Sequence, residues 1–523
     1  MLANSTSSLA YLIRAFTVLY GIISVKIKQA WYLGEALPAV IFGIILGPLS
    51  AKFIESEKWG FATPGQTNAI TLGTIRVMIG VQLVIAGYQL PAKYNYTRWK
   101  EMAICLLPVM TIMRLCTTAC IMVTIPKVTF LAALVIGSCV TCTDPILSQA
   151  IAKGPFADKY VPRPLRDIIS SETGANDGFG FPFLILATYL IRHADIPGAN
   201  NHSRNGLETG EFHAMMARSE DVGRLGGGVG EAMKNWGMDH AKESALRLED
   251  ALALFIIGTC GAIGTDDLLA CFVAGSALNW DGHYLRETEV RHDEVNSCVD
   301  VLLNFGGFMY IGTILPWSDF NDPTGTGITW GRLFALGFLV LIFRRLPAIF
   351  AFYKLMPATC SNWKDALFMG YFGPIGAGAV FYVEHARHLF PGDGDGDEEE
   401  TNLVRAMAPT VYWLVFFSIV AHGLLIPALN IFYHYIQKAP VKRDDIELRG
   451  ISLDALPTHS LGASQDASST ARFHCPVEPR ANRPVEGGPS SPVSMGDQEF
   501  SDDNDSLNKC RQIKTENRRS AWA

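Results

Sequence analysis

Two acidic residues, Glu172 and Asp177, lie in a stretch that is otherwise apolar and long enough to cross a bilayer. An acidic side chain at the centre of a membrane helix costs roughly 2.5–3.5 kcal/mol on insertion scales, so a chain that keeps two of them puts them to use. Desolvation favours the protonated form of a carboxylate, which lets H+ and a metal cation compete for the same oxygens. When two ions compete for one site, binding of one releases the other, which is exchange. We therefore predict that Asp177 carries an ion.

Three polar residues are expected near this carboxylate. Asn176 is its neutral neighbour and can orient nearby backbone, while Thr143 and Asp144 come directly before Pro145 in an earlier apolar segment. Proline removes a helix hydrogen bond, and hydroxyl and carboxylate groups can satisfy the freed backbone, so we predict a helix broken at mid-membrane. Thr143 and Asp144 are then candidate ligands of the ion, or neighbours of its ligands.

A second interruption is predicted at Gly373, Pro374 and Gly376. An ordinary kinked helix is the alternative for each interrupted segment alone. Two interrupted segments at corresponding places in two halves are typical of an inverted-repeat transporter, whose ion site lies where the broken helices cross.

Four further charged residues need partners or roles. A buried Glu172 needs a cation, and Arg344 and Arg345 are adjacent in a later apolar segment, although both arginines could instead extend to the cytosolic interface. Asp266 and Asp267 follow a Gly-Thr pair between two short apolar pieces. One of these aspartates is expected to cap the next helix, and the other to belong to an ion pathway or a pH-sensing network.

The composition indicates an all-α polytopic membrane protein. Of the 523 residues 49% are hydrophobic and 18% are charged, and the apolar residues form blocks of about 20. The net charge of -7 gives no indication of nucleic-acid binding, and the eleven scattered cysteines suggest neither a disulfide framework nor a metal site, so we expect no cofactor. We predict about twelve membrane segments, at 9–25, 34–50, 67–90, 101–125, 129–150, 164–192, 249–263, 265–280, 298–316, 329–350, 364–383 and 405–437.

Loop charges predict the orientation and expose a gap. Lys and Arg cluster in alternate loops, which places the N-terminus outside and the C-terminal tail in the cytosol. The two halves, 1–193 and 249–438, do not join, because the polar, Gly-rich stretch 194–248 contains no apolar run for the crossing that the charges require. Either a segment is miscounted or re-entrant, or a coding segment is deleted or misjoined near Trp236. Residues 439–523 are polar and are predicted to form a disordered cytosolic tail.

Five motifs occur along this chain in the family's order and are similar to those of the fungal plasma-membrane sodium/proton antiporters. These antiporters belong to the monovalent cation/proton antiporters. The resemblance runs from about Tyr11 to Pro427. It implies a homodimer of about thirteen helices per chain, with a dimerisation domain and a moving core that exchanges Na+ or Li+, often K+ too, for H+ and so gives salt tolerance and pH homeostasis. The motifs are Thr143-Asp144-Pro145; Glu172-x-Gly-Ala-Asn-Asp-Gly; Asp266-Asp267-Leu-Leu with the later Trp280-Asp-Gly; Arg344-Arg345-x-Pro; and Gly373-Pro-Ile-Gly.

The resemblance also assigns roles. It favours Arg345 as the partner of Glu172, leaves Arg344 to reach the membrane edge, and places Na+ at Asp177. His422 matches a family histidine and is expected either to tune the pH response or simply to pack.

Two departures and two rival functions remain open at this stage. The family's Gly-rich segment after the sixth helix is absent where the loop charges require a crossing, and Gly73 stands where family members usually carry Glu. The chain could therefore be an inactive or regulatory remnant of an antiporter. An intramembrane aspartyl protease using Asp144 and Asp177 is the alternative from the enzymes, although its Gly-Asp order is absent because Gly178 follows the aspartate.

Overall fold

The computed structural model describes residues 34–52, 54, 66–152, 155–193, 224, 248–290, 294–391 and 396–436, and every structural statement below concerns these residues. Their regular elements are helices, and one isolated β-bridge joins Asp322 and Ile328. The predicted all-α class is therefore confirmed. The first predicted membrane segment, nearly all of the stretch 194–248 and the tail lie outside the described residues, so the missing crossing and the disordered tail stay predictions.

The helices follow the predicted segments closely where both can be compared. In the first half they are α1 (Ala36–Leu46), α2 (Gln66–Tyr88), α3 (Tyr94–Thr97), α4 (Trp99–Thr124), α5 (Phe130–Cys139), α6 (Pro145–Ala152), α7 (Pro155–Tyr160), α8 (Arg163–Phe179) and α9 (Phe181–His193). In the second half they are α10 (Leu248–Ile263), α11 (Asp267–Leu278), α12 (His283–Val290), α13 (Glu294–Thr313), α14 (Trp330–Phe343), α15 (Leu346–Phe352), α16 (Trp363–Tyr371), α17 (Ala377–Leu389) and α18 (Glu398–Tyr435).

Both predicted interruptions are present. Helix α5 stops at Cys139 and α6 begins at Pro145, while α16 stops at Tyr371 and α17 begins at Ala377. Proline at the start of α6 has no N–H to donate, and glycine and proline before α17 disfavour a continuous helix. The chain therefore presents two stretches of free backbone polar groups inside the bundle.

Four helical stretches are long and apolar enough to cross a membrane by length and composition. They are Gln66–Tyr88, Trp99–Thr124, Trp330–Leu355 and Glu398–Tyr435. Large apolar side chains are exposed on several helices, among them Val123, Phe338 and Ile431, whereas many charged side chains are buried. Apolar residues outside and paired polar residues inside are the pattern of a protein whose solvent is lipid.

Glycine allows helices α1 and α13 to approach at backbone distance. A Cβ added to Gly43 in α1 would meet the carbonyl of Met309 in α13, and one added to Gly312 would meet the carbonyl of Val40. Small residues at such crossings let helices associate by van der Waals packing where lipid removes the hydrophobic driving force. Helices α1 and α13 therefore pack with their backbones in direct contact.

We expect Gly312→Val to destabilise the protein by roughly 1–3 kcal/mol, because the new side chain must push α1 away from α13. Gly306→Val is the matched control on the same helix, since a Cβ there meets no atom within 4 Å. The measurement is thermal unfolding of the detergent-solubilised protein. Equal losses for the two variants would contradict the close helix approach.

Candidate functional site

The two interruptions lie against each other, and Asp144 connects them. Its backbone N–H donates to the carbonyl of Pro374 (2.9 Å). One carboxylate oxygen accepts from the N–H of Leu147 at the start of α6 (2.8 Å), and the other accepts from the N–H of Ala377 at the start of α17 (2.6 Å). A helix N-terminus carries partial positive charge, so one carboxylate compensates two of them. Both carboxylate oxygens of Asp144 thus accept hydrogen bonds from backbone N–H groups.

Arg344 compensates the partial negative charge at the C-terminal ends of α5 and α16, the helices that stop at the two breaks. Its guanidinium donates to the carbonyls of Thr141 (3.0 Å) and Cys142 (2.6 Å), which follow α5, and to that of Gly373 (2.6 Å), which follows α16. The expectation that Arg344 reaches the membrane edge is therefore wrong, since the residue is only 3% exposed. The main-chain carbonyls at both breaks hold the Arg344 guanidinium inside the protein, because a helix C-terminus carries partial negative charge.

Asn176 ties the helix of the predicted carrier to the first break. The backbone N–H of Thr143 donates to Asn176 Oδ1 (3.0 Å), and Asn176 Nδ2 donates to Thr143 Oγ1 (2.7 Å). Both residues are fully buried. The amide replaces a helical hydrogen bond that the break removes, and it fixes Asp177, the next residue of α8, beside the crossing.

Asp177 is 0% exposed, and neither carboxylate oxygen has a hydrogen-bond partner among the described residues. Gly378 on α17 leaves the space beside it, because a Cβ there would lie 2.6 Å from Asp177 Oδ1 and 3.0 Å from Cys142 Sγ. An isolated ionised carboxylate in such surroundings is costly, and it must take up a proton or a cation. The arrangement is suited to an exchangeable ion.

Tyr382 is a contact of the site that the sequence reasoning missed. Helix α8 ends next to Gly180, because Pro182 has no N–H for the carbonyl of Gly178 four residues earlier. The Tyr382 hydroxyl donates to the main-chain carbonyl of Asp177 across this bend. The signal in the sequence was the spacing, since residues 378 and 382 are four apart and share one face of α17.

Glu172 and Arg345 form a bidentate ion pair inside the protein. Arg345 Nη1 donates to one carboxylate oxygen of Glu172 (2.7 Å) and Nη2 to the other (2.6 Å), and Arg345 Nε donates to the carbonyl of Met369 (3.0 Å). Both side chains are almost fully buried. Both oxygens of Glu172 are occupied, so it offers no free site for a transported ion.

Asp266 and Asp267 take different roles. Asp266 caps α11, because its Oδ1 accepts from the N–H groups of Leu268 and Leu269 (3.1 Å each), while its Oδ2 is buried without a partner among the described residues. Asp267 pairs with Arg76 of α2. A Cβ on Gly178 would meet the backbone of Leu269, so this corner lies next to the carrier helix.

His422 lies outside the ion site and supports the second break. Its Nδ1 is 2.9 Å from the carbonyl oxygen of Ser418, and its Nε2 is 3.2 Å from that of Tyr371. The Ser418 hydroxyl in turn accepts from the N–H of Ile375 (2.8 Å). The packing alternative for this histidine is the one that these contacts favour.

Comparison with known proteins agrees with this geometry. The family profile described as "Sodium/hydrogen exchanger, transmembrane" matches residues 13–431. A probable Na(+)/H(+) antiporter of Schizosaccharomyces pombe is 37% identical over 440 residues, covering 80% of this chain and 55% of that protein. An Na(+)/H(+) antiporter of Saccharomyces cerevisiae is 34% identical over 445 residues, covering 80% of this chain and 43% of that protein. The chain thus spans about half the length of these relatives.

A shorter relative and a solved structure extend the comparison. Another Na(+)/H(+) antiporter of Schizosaccharomyces pombe is 30% identical over 448 residues, covering 82% of this chain and 92% of that protein. The structure of the sodium proton antiporter MjNhaP1 from Methanocaldococcus jannaschii superposes with a TM-score of 0.56 and 14% identity, covering 86% of this chain and 100% of that chain. At this identity the likeness establishes the fold.

We expect a double-mutant cycle to reveal strong coupling between Glu172 and Arg345. Removing one partner, in Glu172→Leu or Arg345→Met, should cost roughly 3–5 kcal/mol because the other charge stays buried and unpaired. The double variant should recover much of that loss. Thermal unfolding of the four proteins is the measurement, and additive losses would argue against the pair.

Proposed function

The chain belongs to the sodium/hydrogen exchanger family, and we propose that it exchanges Na+ for H+ across a membrane at Asp177. The observation that carries the proposal is the buried carboxylate with two unpartnered oxygens beside the crossing of the broken helices. The names of its relatives support the choice of ions. Family membership also removes the intramembrane protease from consideration, because the family consists of exchangers.

The exchange follows from the balance of charges among the side chains where the two broken helices cross. Asp144 and Arg344 each compensate helix ends, and Glu172 is neutralised by Arg345, so these charges balance without Asp177. Asp177 then needs one positive charge to become neutral. A proton and an Na+ can each supply it but not both, so binding of one displaces the other. One carboxylate gives a ratio of one Na+ to one H+.

The neighbours of Asp177 complete the site. The hydroxyl oxygen of Thr143 supplies a neutral oxygen, which is the ligand type that hard cations prefer. Asn176 positions Thr143 and does not itself change charge. The one unpartnered oxygen of Asp266, Oδ2, lies at the corner next to the carrier helix, and it is our candidate for guiding cations toward the site. None of these residues needs a resident cofactor.

The finer properties follow from the same proposal. Li+ and K+ are proposed as further transported cations, and a homodimer in the plasma membrane is proposed as the working form, conferring salt tolerance and control of pH. The alternation of basic loops supports an outside N-terminus and a cytosolic tail. The inactive-remnant alternative depends on the missing crossing, which falls outside the described residues, and transport activity decides between them.

Asp177→Asn should abolish Na+-driven proton flux in proteoliposomes while the protein stays folded and inserted, because the amide keeps the shape but cannot carry the exchanged charge. Asp319→Asn, at an exposed residue, is the control and should leave the flux unchanged. Normal Na+-dependent kinetics in Asp177→Asn would disprove the assignment. No flux in the unmodified protein would instead favour the remnant.

A second variant fills the space beside the Asp177 carboxylate and leaves the carboxylate itself unchanged. Gly378→Ala should raise the KM for Na+ by about tenfold, which corresponds to about 1.4 kcal/mol, because the methyl group enters the space next to Asp177 Oδ1. Gly331→Ala is the matched control, since its Cβ meets no atom within 4 Å. An unchanged KM in Gly378→Ala would place the cation elsewhere.

A further inference from the structure

A second buried carboxylate, Glu384, lies on α17 and faces away from the ion site. It is 2% exposed. Its Oε1 accepts from the hydroxyl of Tyr412 on α18 (2.8 Å) and lies 3.5 Å from Arg387 Nη1, one turn further along its own helix. Its Oε2 is buried and has no partner among the described residues. The exchange derived above makes no use of this residue.

Helix α17, which carries Glu384, packs against α18, α13 and α2. Tyr412 of α18 donates to Glu384, and Tyr310 of α13 lies close enough for the charge of an ionised Glu384 to act on it. The Tyr310 hydroxyl shares a hydrogen bond with Thr71 of α2 (2.7 Å). The charged or titratable neighbours on α17 itself are His385, Arg387 and His388. The carboxyl group thus joins α17, which starts at the ion site, to α18.

The buried, unpartnered Oε2 favours the neutral form of this carboxyl group, because a charged carboxylate would leave that oxygen with charge and no hydrogen bond. The Tyr412 hydroxyl and Arg387, both at Oε1, favour the ionised form. Arg387 is partly exposed in the last turns of α17 and gives the carboxyl group a connection to water. Ionisation would favour drawing Arg387 or water inward, which changes how α17 packs.

Helix α17 transmits such a change to the ion site. The same helix carries Gly378, which borders the Asp177 carboxylate, and Tyr382, which holds the Asp177 carbonyl. Glu384 follows the start of α17 by seven residues, which is about 10 Å along the helix axis. Helix α17 therefore carries Glu384 and contacts Asp177 of α8 through Gly378 and Tyr382.

We propose that Glu384 is a second proton-binding site, separate from Asp177, whose protonation holds α17 in the packing seen here and sets how transport responds to pH. The proposal rests on the proposed exchange for its effect on transport, but the protonation itself can be measured without transport. The sign follows from the buried, unpartnered Oε2: this packing is stabilised at low pH and is lost as the pH rises and Glu384 ionises.

Infrared difference spectroscopy on a pH step tests the protonation directly. In the Asp177→Asn background, an acid step that ends well above pH ~4, where exposed carboxylates stay ionised, should produce a carboxylic acid C=O band, and adding Glu384→Gln should remove one component of that band. Adding Glu398→Gln instead, at an exposed glutamate, is the matched control and should leave the band in place. Tyr412→Phe in the same background should move the band's titration to higher pH, since the ionised carboxylate loses a donor. A C=O band that is unchanged by Glu384→Gln would overturn the proposal.

Proteoliposome flux measured against pH tests the consequence. Glu384→Gln should keep Na+-driven flux but behave at alkaline pH as the unmodified protein does at acidic pH, a displacement of about one pH unit or more. Glu398→Gln should keep the original profile. An unchanged profile in Glu384→Gln would contradict the regulatory role. Absence of flux in every protein, with the infrared result intact, would refute the exchange and leave the proton site standing.

Discussion

The buried carboxylate of Asp177, which has no permanent partner, is the constraint on which the rest of the structure depends. A charge in the interior is tolerated only when it is paired, and in the proposed exchange the pairing of Asp177 is left for a mobile ion. For that ion to leave again, the surroundings must not supply a fixed cation. The nearby charges are therefore all satisfied by other groups: Asp144 by two helix N-termini, Arg344 by main-chain carbonyls, and Glu172 by Arg345.

The two breaks supply the backbone groups that make this arrangement possible. A continuous helix would offer no free backbone groups at mid-membrane, whereas two breaks expose both positive and negative ends at one point. Asp144 and Arg344 each bind the ends of both helices, so electrostatic contacts help to hold the crossing together. Chemically similar carboxylates thus differ in role because their partners differ: Asp144 is structural, and Asp177 is the one that the proposed exchange uses.

Much of this could be predicted from local sequence. Pro145 and Pro374 mark the breaks, since proline acts on its own helix, and buried opposite charges such as Glu172 and Arg345 require each other. The role of Arg344 was predicted wrongly because the carbonyls that bind it come from two segments far away in the chain. Tyr382 and Gly378 were missed for the same reason, as their importance depends on which face of α17 meets Asp177. The count of crossings stays a prediction because the decisive stretch lies outside the described residues.

The central claim is that one carboxylate binds either H+ or Na+. The most direct measurement is equilibrium binding of Na+ to the purified full chain by titration calorimetry over a series of pH values. The account predicts that the apparent Na+ affinity falls about tenfold for each pH unit on the acidic side, with one proton released per Na+ bound. An Na+ affinity that does not depend on pH, or binding without proton release, would contradict it.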